Sequence, residues 1–262
     1  MKTIICITLF FATFAPLGFS KPLYTQQGVD PPFEEVMASG KLPVGSNSKK
    51  GVTGSKIRVN RQLVELTPEA RRPIPQNIRI HTLGHSAIRR RKFGKWSRWY
   101  QEDGSTQVFR LFKGETNVRN KRPLAARVEA FGGPKWQRGS WHEWSGTYTI
   151  IKPHGAAIFQ AKNNGAPNWA VQLLMNSKGD VFFSPRRKPR VRIAENMTGK
   201  PFHIRVRDNG NDFEVYLDGS KVGAGSWDRP EGQTGFRWGM YVGANEVRHD
   251  AMIFVSGVTV DG

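Results

Sequence analysis

The chain has 262 residues, a single cysteine, and 40 Lys and Arg against 21 Asp and Glu, for a formal charge of +19. One cysteine excludes a disulfide framework, and no stretch approaches the length of an apolar membrane span. The charge excess calls for a polyanionic partner: nucleic acid, an anionic membrane or an acidic glycan.

Residues 1–20 have the layout of a secretory signal. Lys2 is followed by an apolar run over 4–14, and Gly18 and Ser20 place small side chains before a cut at Lys21. Cys6 lies inside this segment, so the mature chain has no thiolate nucleophile or cysteine metal ligand, and loss of Lys2 leaves a charge of +18. Export lowers the standing of nucleic acid and membrane as partners and favours an acidic polysaccharide met by a soluble monomer.

Residues 21–76 are rich in Pro, Gly, Lys and Ser, with Pro31-Pro32 and Pro73-Ile74-Pro75 as punctuation. They read as an irregular N-terminal arm, with one short helix expected over 32–39. The remainder, 77–262, reads as one β-domain. Strands are expected over 107–112, 125–131, 146–151, 156–162, 169–175, 180–184, 202–208, 212–217, 234–242 and 251–260. Asp103-Gly104, Asn164-Gly165, Asn209-Gly210 and Asp218-Gly219 are hairpin dipeptides between these runs. No helical period is sustained. The expected fold is all-β: a two-sheet antiparallel sandwich or jelly roll with a basic concave groove.

Side chains alternate faces along a strand. Phe202, Ile204 and Val206 therefore oppose His203, Arg205 and Arg207, while Phe236, Trp238 and Met240 oppose Arg237, Gly239 and Tyr241. Ile158 is in phase with Gln160 and Lys162, Arg127 with Glu129, and Ser184 with Arg186. A solvated sheet face is ordinarily polar. Here acids are scarce and Arg dominates, which favours a basic groove. Trp96, Trp99, Trp136, Trp141 and Trp144 fall in loop-like stretches, and some of them are expected to stack on sugar rings.

Arg127-Val-Glu129, Gln160-Ala-Lys162 and the segment from Phe236 to Tyr241 resemble motifs of the jelly-roll polysaccharide lyases, the alginate and glucuronan lyases of concanavalin A-like fold. One alginate lyase group carries Arg-x-Glu-Leu-Arg, Gln-x-His and Tyr-Phe-Lys-x-Gly-x-Tyr. This chain has Lys162 in the histidine place and Arg237 in the lysine place, and keeps Gly239 and Tyr241. A second group uses a groove lysine followed by Ser-x-Arg, which Lys162 with Ser184-Pro-Arg186 resembles; His203 and Arg205 stand about where that group has paired tyrosines.

The resemblance implies cleavage of a uronic acid chain by β-elimination. Such an enzyme neutralises a carboxylate, removes the adjacent C5 proton and protonates the departing O4. Arginine meets a carboxylate bidentately and stays charged, so Arg127, Arg186 and Arg205 are the candidate neutralisers, with Gln160 as a neutral donor. Glu129, Ser184 and Arg237 complete the expected substrate-binding set. For proton transfer the order is Tyr241, Lys162, His203. All of these are expected in one cleft. The mechanism requires no metal or cofactor; the resemblance alone allows a structural calcium. Hydrolysis is disfavoured because no paired-carboxylate run appears, and no His-Glu-x-x-His or Gly-x-Ser-x-Gly motif is present. The alternatives are a non-catalytic glycan-binding module of the same fold and a secreted nucleic-acid binder, whose affinity would fall steeply with salt.

Overall fold

A computed structural model of the chain describes residues 21–27, 51–83, 85–119, 122–163, 169–229 and 233–261. The signal segment 1–20, the helix expected over 32–39 and the Asn164-Gly165 turn lie outside the described residues. In chain order the strands are β1 (Tyr24–Gln27), β2 (Lys56–Val59), β3 (Arg79–Thr82), β4 (His85–Arg89), β5 (Tyr100–Asp103), β6 (Thr106–Leu111), β7 (Val118–Arg119), β8 (Arg122–Pro123) and β9 (Arg127–Trp136). There follow β10 (His142–Lys152), β11 (Ala156–Asn163), β12 (Trp169–Met175), β13 (Val181–Pro185) and β14 (Val191–Ala194). The last are β15 (Pro201–Asp208), β16 (Asp212–Leu217), β17 (Ser220–Ser226), β18 (Thr234–Tyr241) and β19 (Ala251–Asp261).

Two antiparallel sheets form the sandwich. One has eight strands in the order β14-β13-β12-β11-β18-β9-β3-β4, the other seven in the order β17-β16-β15-β10-β19-β6-β5. Every strand expected from the sequence is present. The turn at Asp218-Gly219 has positive φ at both residues, 47° and 83°, the primed geometry that matches the twist of β16 and β17.

Aromatic side chains of the two inner faces interlock to make the core. Trp144 of the seven-stranded sheet lies 4.8 Å from Phe159 and 5.9 Å from Trp238 of the other, ring centre to ring centre. The buried indole of Trp238 donates to Gln107 Oε1 at 2.8 Å, so its polar atom is satisfied away from water. Burial of side chains this large stabilises the sandwich by about 1.5–3 kcal/mol each.

The arm meets the outside of the seven-stranded sheet. Ile57 and Val59 of β2, with Val64 from the helical turn Arg61–Val64, pack on Val108, Met252 and Phe254. Backbone groups of β2 are tied to edge strand β5, where Ile57 N–H donates to Gln101 Oε1 at 2.8 Å and Val59 N–H to Asp103 Oδ2 at 2.7 Å. This cover leaves the outer face of the eight-stranded sheet as the place to look for a groove. Among the described residues, no helix is long and apolar enough to cross a membrane.

Candidate functional site

Period-two alternation turns Phe236, Trp238 and Met240 of β18 into the core and leaves Arg237 and Tyr241 on the outer face. On neighbouring β9, Val128 and Ala130 point inward, and Arg127, Glu129 and Phe131 outward. On β11, a bulge between Ala157 and Phe159 interrupts the alternation. Ile158 is thereby buried in the core along with Phe159, a correction to the phase expected from sequence, whereas Gln160 and Lys162 keep the outer face.

These strands are adjacent in the order β11-β18-β9, and their register sets the contacts. Tyr241 pairs with Arg127, Gly239 with Glu129, and Arg237 with Phe131 on one side and Gln160 on the other. The Arg127 guanidinium stacks over the Tyr241 ring, 4.7 Å from its centre. Gln160 Nε2 donates to Glu129 Oε1 at 2.6 Å, reaching across β18. Gly239 is the β18 residue opposite Glu129. It has φ of +119°, and a Cβ there would meet Val128 O at 2.4 Å. Gln172 Nε2 in turn donates to Gln160 Oε1 at 2.9 Å.

Glu129 is only 2% exposed. Its Oε2 has Arg127 Nη1 at 3.8 Å and no hydrogen bond among the described residues. Lys162 has no acidic partner among them. Burial first, then repulsion by Arg237 and more weakly by Arg127, lowers its pKa below the usual lysine value, against the opposing pull of Glu129.

The expected single cleft is corrected in several respects. His203 and Arg205 lie on β15, in the seven-stranded sheet, on the opposite outside of the molecule. Arg205 pairs with Glu143 at 3.1 Å and covers the Tyr216 ring at 3.8 Å; His203 Nδ1 lies 3.1 Å from Thr147 Oγ1. Alternation gave their direction relative to the core correctly, but it carries no information on which sheet a strand joins. Lys162 shares the face of Tyr241 but not its place. Lys162 pairs with Gly235, and at about 3.3 Å per residue roughly 15–20 Å of strand separates positions 235 and 241. Ser184 faces Gln172 across β13 and β12, and Arg186, just past β13, lies between the rings of Trp227 (4.5 Å) and Trp169 (5.5 Å). Trp96, Trp99, Trp136 and Trp144 are core residues; of that group only Trp141, 40% exposed, presents its ring to solvent.

Strand β3, not among those expected from the sequence, brings His81 onto the same outer face opposite Glu129, its ring 4.6 Å from that of Phe131. A cleft of about 200 Å³ beside it is lined by His81, His85, Asn117 and Arg127 among others. The isolated His-Thr-Leu-Gly-His run over 81–85 could have drawn attention, since two histidines bracket a turn next to Arg-rich sequence. Among the described residues, no group of three or more His, Cys, Asp or Glu could hold a metal ion.

This architecture has known counterparts. An alginate lyase of polysaccharide lyase family 7, AlgAT5, superposes with a TM-score of 0.57 at 14% identity, over 76% of this chain and 96% of that one. The alginate lyase from Corynebacterium sp. gives a TM-score of 0.57 at 12% identity over the same shares. Alginate lyase AlyC3 in complex with dimannuronate gives 0.52 at 10% identity, over 70% of this chain and 88% of that one. The chain has the alginate-lyase fold. No family model matches its sequence, and no curated protein resembles it at the sequence level. The jelly-roll fold is common ground with those lyases.

Proposed function

We propose that the protein is a polysaccharide lyase that cleaves a uronate-containing acidic polysaccharide, of alginate or glucuronan type, by β-elimination. The observation that carries this reading is the Arg127–Tyr241 pair on the open face of a fold shared with alginate lyases. A guanidinium fixed beside a phenol provides, at one place, a carboxylate anchor and a proton-transfer group.

Arg127 holds the substrate carboxylate and withdraws charge from C5. The C5 proton leaves to a base, the C5–H electrons form the C4=C5 double bond, and the C4–O4 bond breaks with its electrons passing to O4, which takes up a proton. Tyr241 is assigned the proton transfer to O4. His81, on the other side of Arg127 across Glu129, is the imidazole placed to act as base. Gln160 keeps one amide hydrogen for substrate, because the other is given to Glu129. Glu129 Oε2 is buried and faces the Arg127 guanidinium at 3.8 Å, so Glu129 serves to position Arg127 and Gln160. Arg237 of β18 and Lys162 of neighbouring β11 stand farther along the same face and bind the carboxylate of a neighbouring sugar. Export through the signal expected at 1–20 delivers the protein, as a monomer, to such a substrate.

Incubation with alginate, polyglucuronate and glycosaminoglycans, read by the ultraviolet absorbance of the unsaturated product, tests the reading. Absorbance should rise with at least one polyuronate. Binding without any absorbing product would instead identify a glycan-binding module.

A further inference from the structure

The groove face does not end at the reaction centre. Arg237 pairs with Phe131, Phe131 with Arg79 of β3, and Arg79 with Arg89 of edge strand β4. In the other direction Arg237 pairs with Gln160, then Gln172, then Ser184. This is one straight row across seven strands, and at about 4.8 Å between strands it is roughly 29 Å long. Ile80 and Ile88 point into the core, so Arg79 and Arg89 both stand on the groove side, and both are exposed.

Arginines directly opposite each other on paired strands repel. Beyond Arg89 the chain turns into the 3-10 segment Arg90–Trp96, where Arg91, Lys92 and Lys95 are also exposed. The nearby acids are already engaged, Glu102 by Arg90 at 2.6 Å and Asp103 by Arg61 at 3.2 Å. Arg79 and Arg89 thus stand opposite each other, followed in the chain by three exposed cations, and among the described residues none of the five has an ion pair with an acid. Charged edges do discourage strand-to-strand aggregation, but that role needs neither a turn of further cations nor alignment with the groove.

We propose that Arg79, Arg89 and the basic turn after them form an accessory track that holds the polyuronate chain several sugars away from the reaction centre. The track rests on the lyase reading above and adds to it a preference for long chains over short ones.

The test is equilibrium binding of polymeric alginate and of an alginate trisaccharide, at low and raised salt. It compares the unaltered protein with Arg79→Gln/Arg89→Gln and with Arg91→Gln/Lys92→Gln/Lys95→Gln. The second variant disturbs no strand pairing, so the question stays answerable if the first perturbs the sheet edge. Each variant should weaken polymer binding at low salt by about tenfold, with a shallower salt dependence, and leave trisaccharide binding unchanged. Unchanged polymer affinity in the turn variant, or an equal loss for trisaccharide, overturns the track while leaving the lyase reading in place. If the unaltered protein binds no polyuronate, both fall together.

Discussion

Arg205 and Arg237 occupy equivalent places in their strands. Each sits between two buried apolar residues, Ile204 and Val206 or Phe236 and Trp238, and each points away from the core. Their neighbours differ. On the seven-stranded sheet Arg205 and Arg207 share Glu143, and Arg207 and Lys221 share Glu214, so every cation of that patch has an anion. On the eight-stranded sheet Arg237 and Lys162 have no ion pair with an acid among the described residues, and Glu129 serves Arg127 and Gln160 instead. The first face has closed its electrostatics on itself; among the described residues the second has not. An exposed pair in the closed set is worth about 0.2–1 kcal/mol, whereas unpaired cations at a half-buried face gain by meeting carboxylates.

The sharpest way to break this contrast is to remove the phenol. Tyr241→Phe keeps the ring under the Arg127 guanidinium and deletes only the phenol oxygen, to which the proposed mechanism assigns proton transfer. Turnover on the responsive polyuronate should fall by about 10²–10⁴-fold, with substrate binding and thermal unfolding little changed. Activity within tenfold of the unaltered protein would place the chemistry elsewhere in the groove and remove the reason for treating the two faces differently.

A smaller effect is expected at Lys162. Burial and Arg237 lower its pKa in the fold, while in the unfolded chain it titrates near the ordinary value of about 10.4. Between those two values the unfolded state binds more protons, so stability should rise with pH through that window. At neutral pH the charged lysine is a cost, and Lys162→Met should unfold at a slightly higher temperature and lose the alkaline rise. The same substitution should raise KM several-fold and leave kcat largely intact, because Lys162 lies away from Tyr241. A collapse of kcat comparable with that of Tyr241→Phe would make Lys162 part of the acid–base machinery after all.

The sandwich was legible because its long strands announce themselves. The runs behind β12, β15 and β18 alternate cleanly and end at turn residues, so both their existence and their inward faces follow from the sequence pattern. What period two cannot encode is partnership. Nothing in the residues of β15 tells that it pairs with β10 and not with β11, and that alone moved His203 and Arg205 out of the groove. Bulges are equally silent, as Ile158 demonstrates. Four-residue β3 and the adjacent β4, kinked by positive φ at Ala87, were too short and interrupted to register, and with them His81 was lost. The tryptophans misled for a different reason: Trp96 and Trp99 stack on each other beneath the surface, and a sequence of irregular backbone does not reveal which way its large rings turn.

The smallest effect is expected on the closed face, and for that reason it discriminates. Arg205→Ala leaves Glu143 with Arg207 still 3.8 Å away and uncovers the Tyr216 ring. Stability should drop by no more than about 1 kcal/mol, and lyase activity should change less than twofold. His203 tests the same face through pH. Burial lowers its pKa below the ordinary histidine value, with Glu69 and Asp218 opposing and Arg72 and Arg205 assisting. The folded state therefore favours the neutral ring. As pH falls through the ordinary value of about 6.5 the unfolded chain takes up the proton first, and stability declines with acid until the folded pKa is passed. His203→Gln should flatten that decline in chemical denaturation series without altering the pH profile of activity. If the activity profile shifted instead, the ion-paired sheet would be taking part in catalysis, and the separation of a self-satisfied face from an open one would no longer hold.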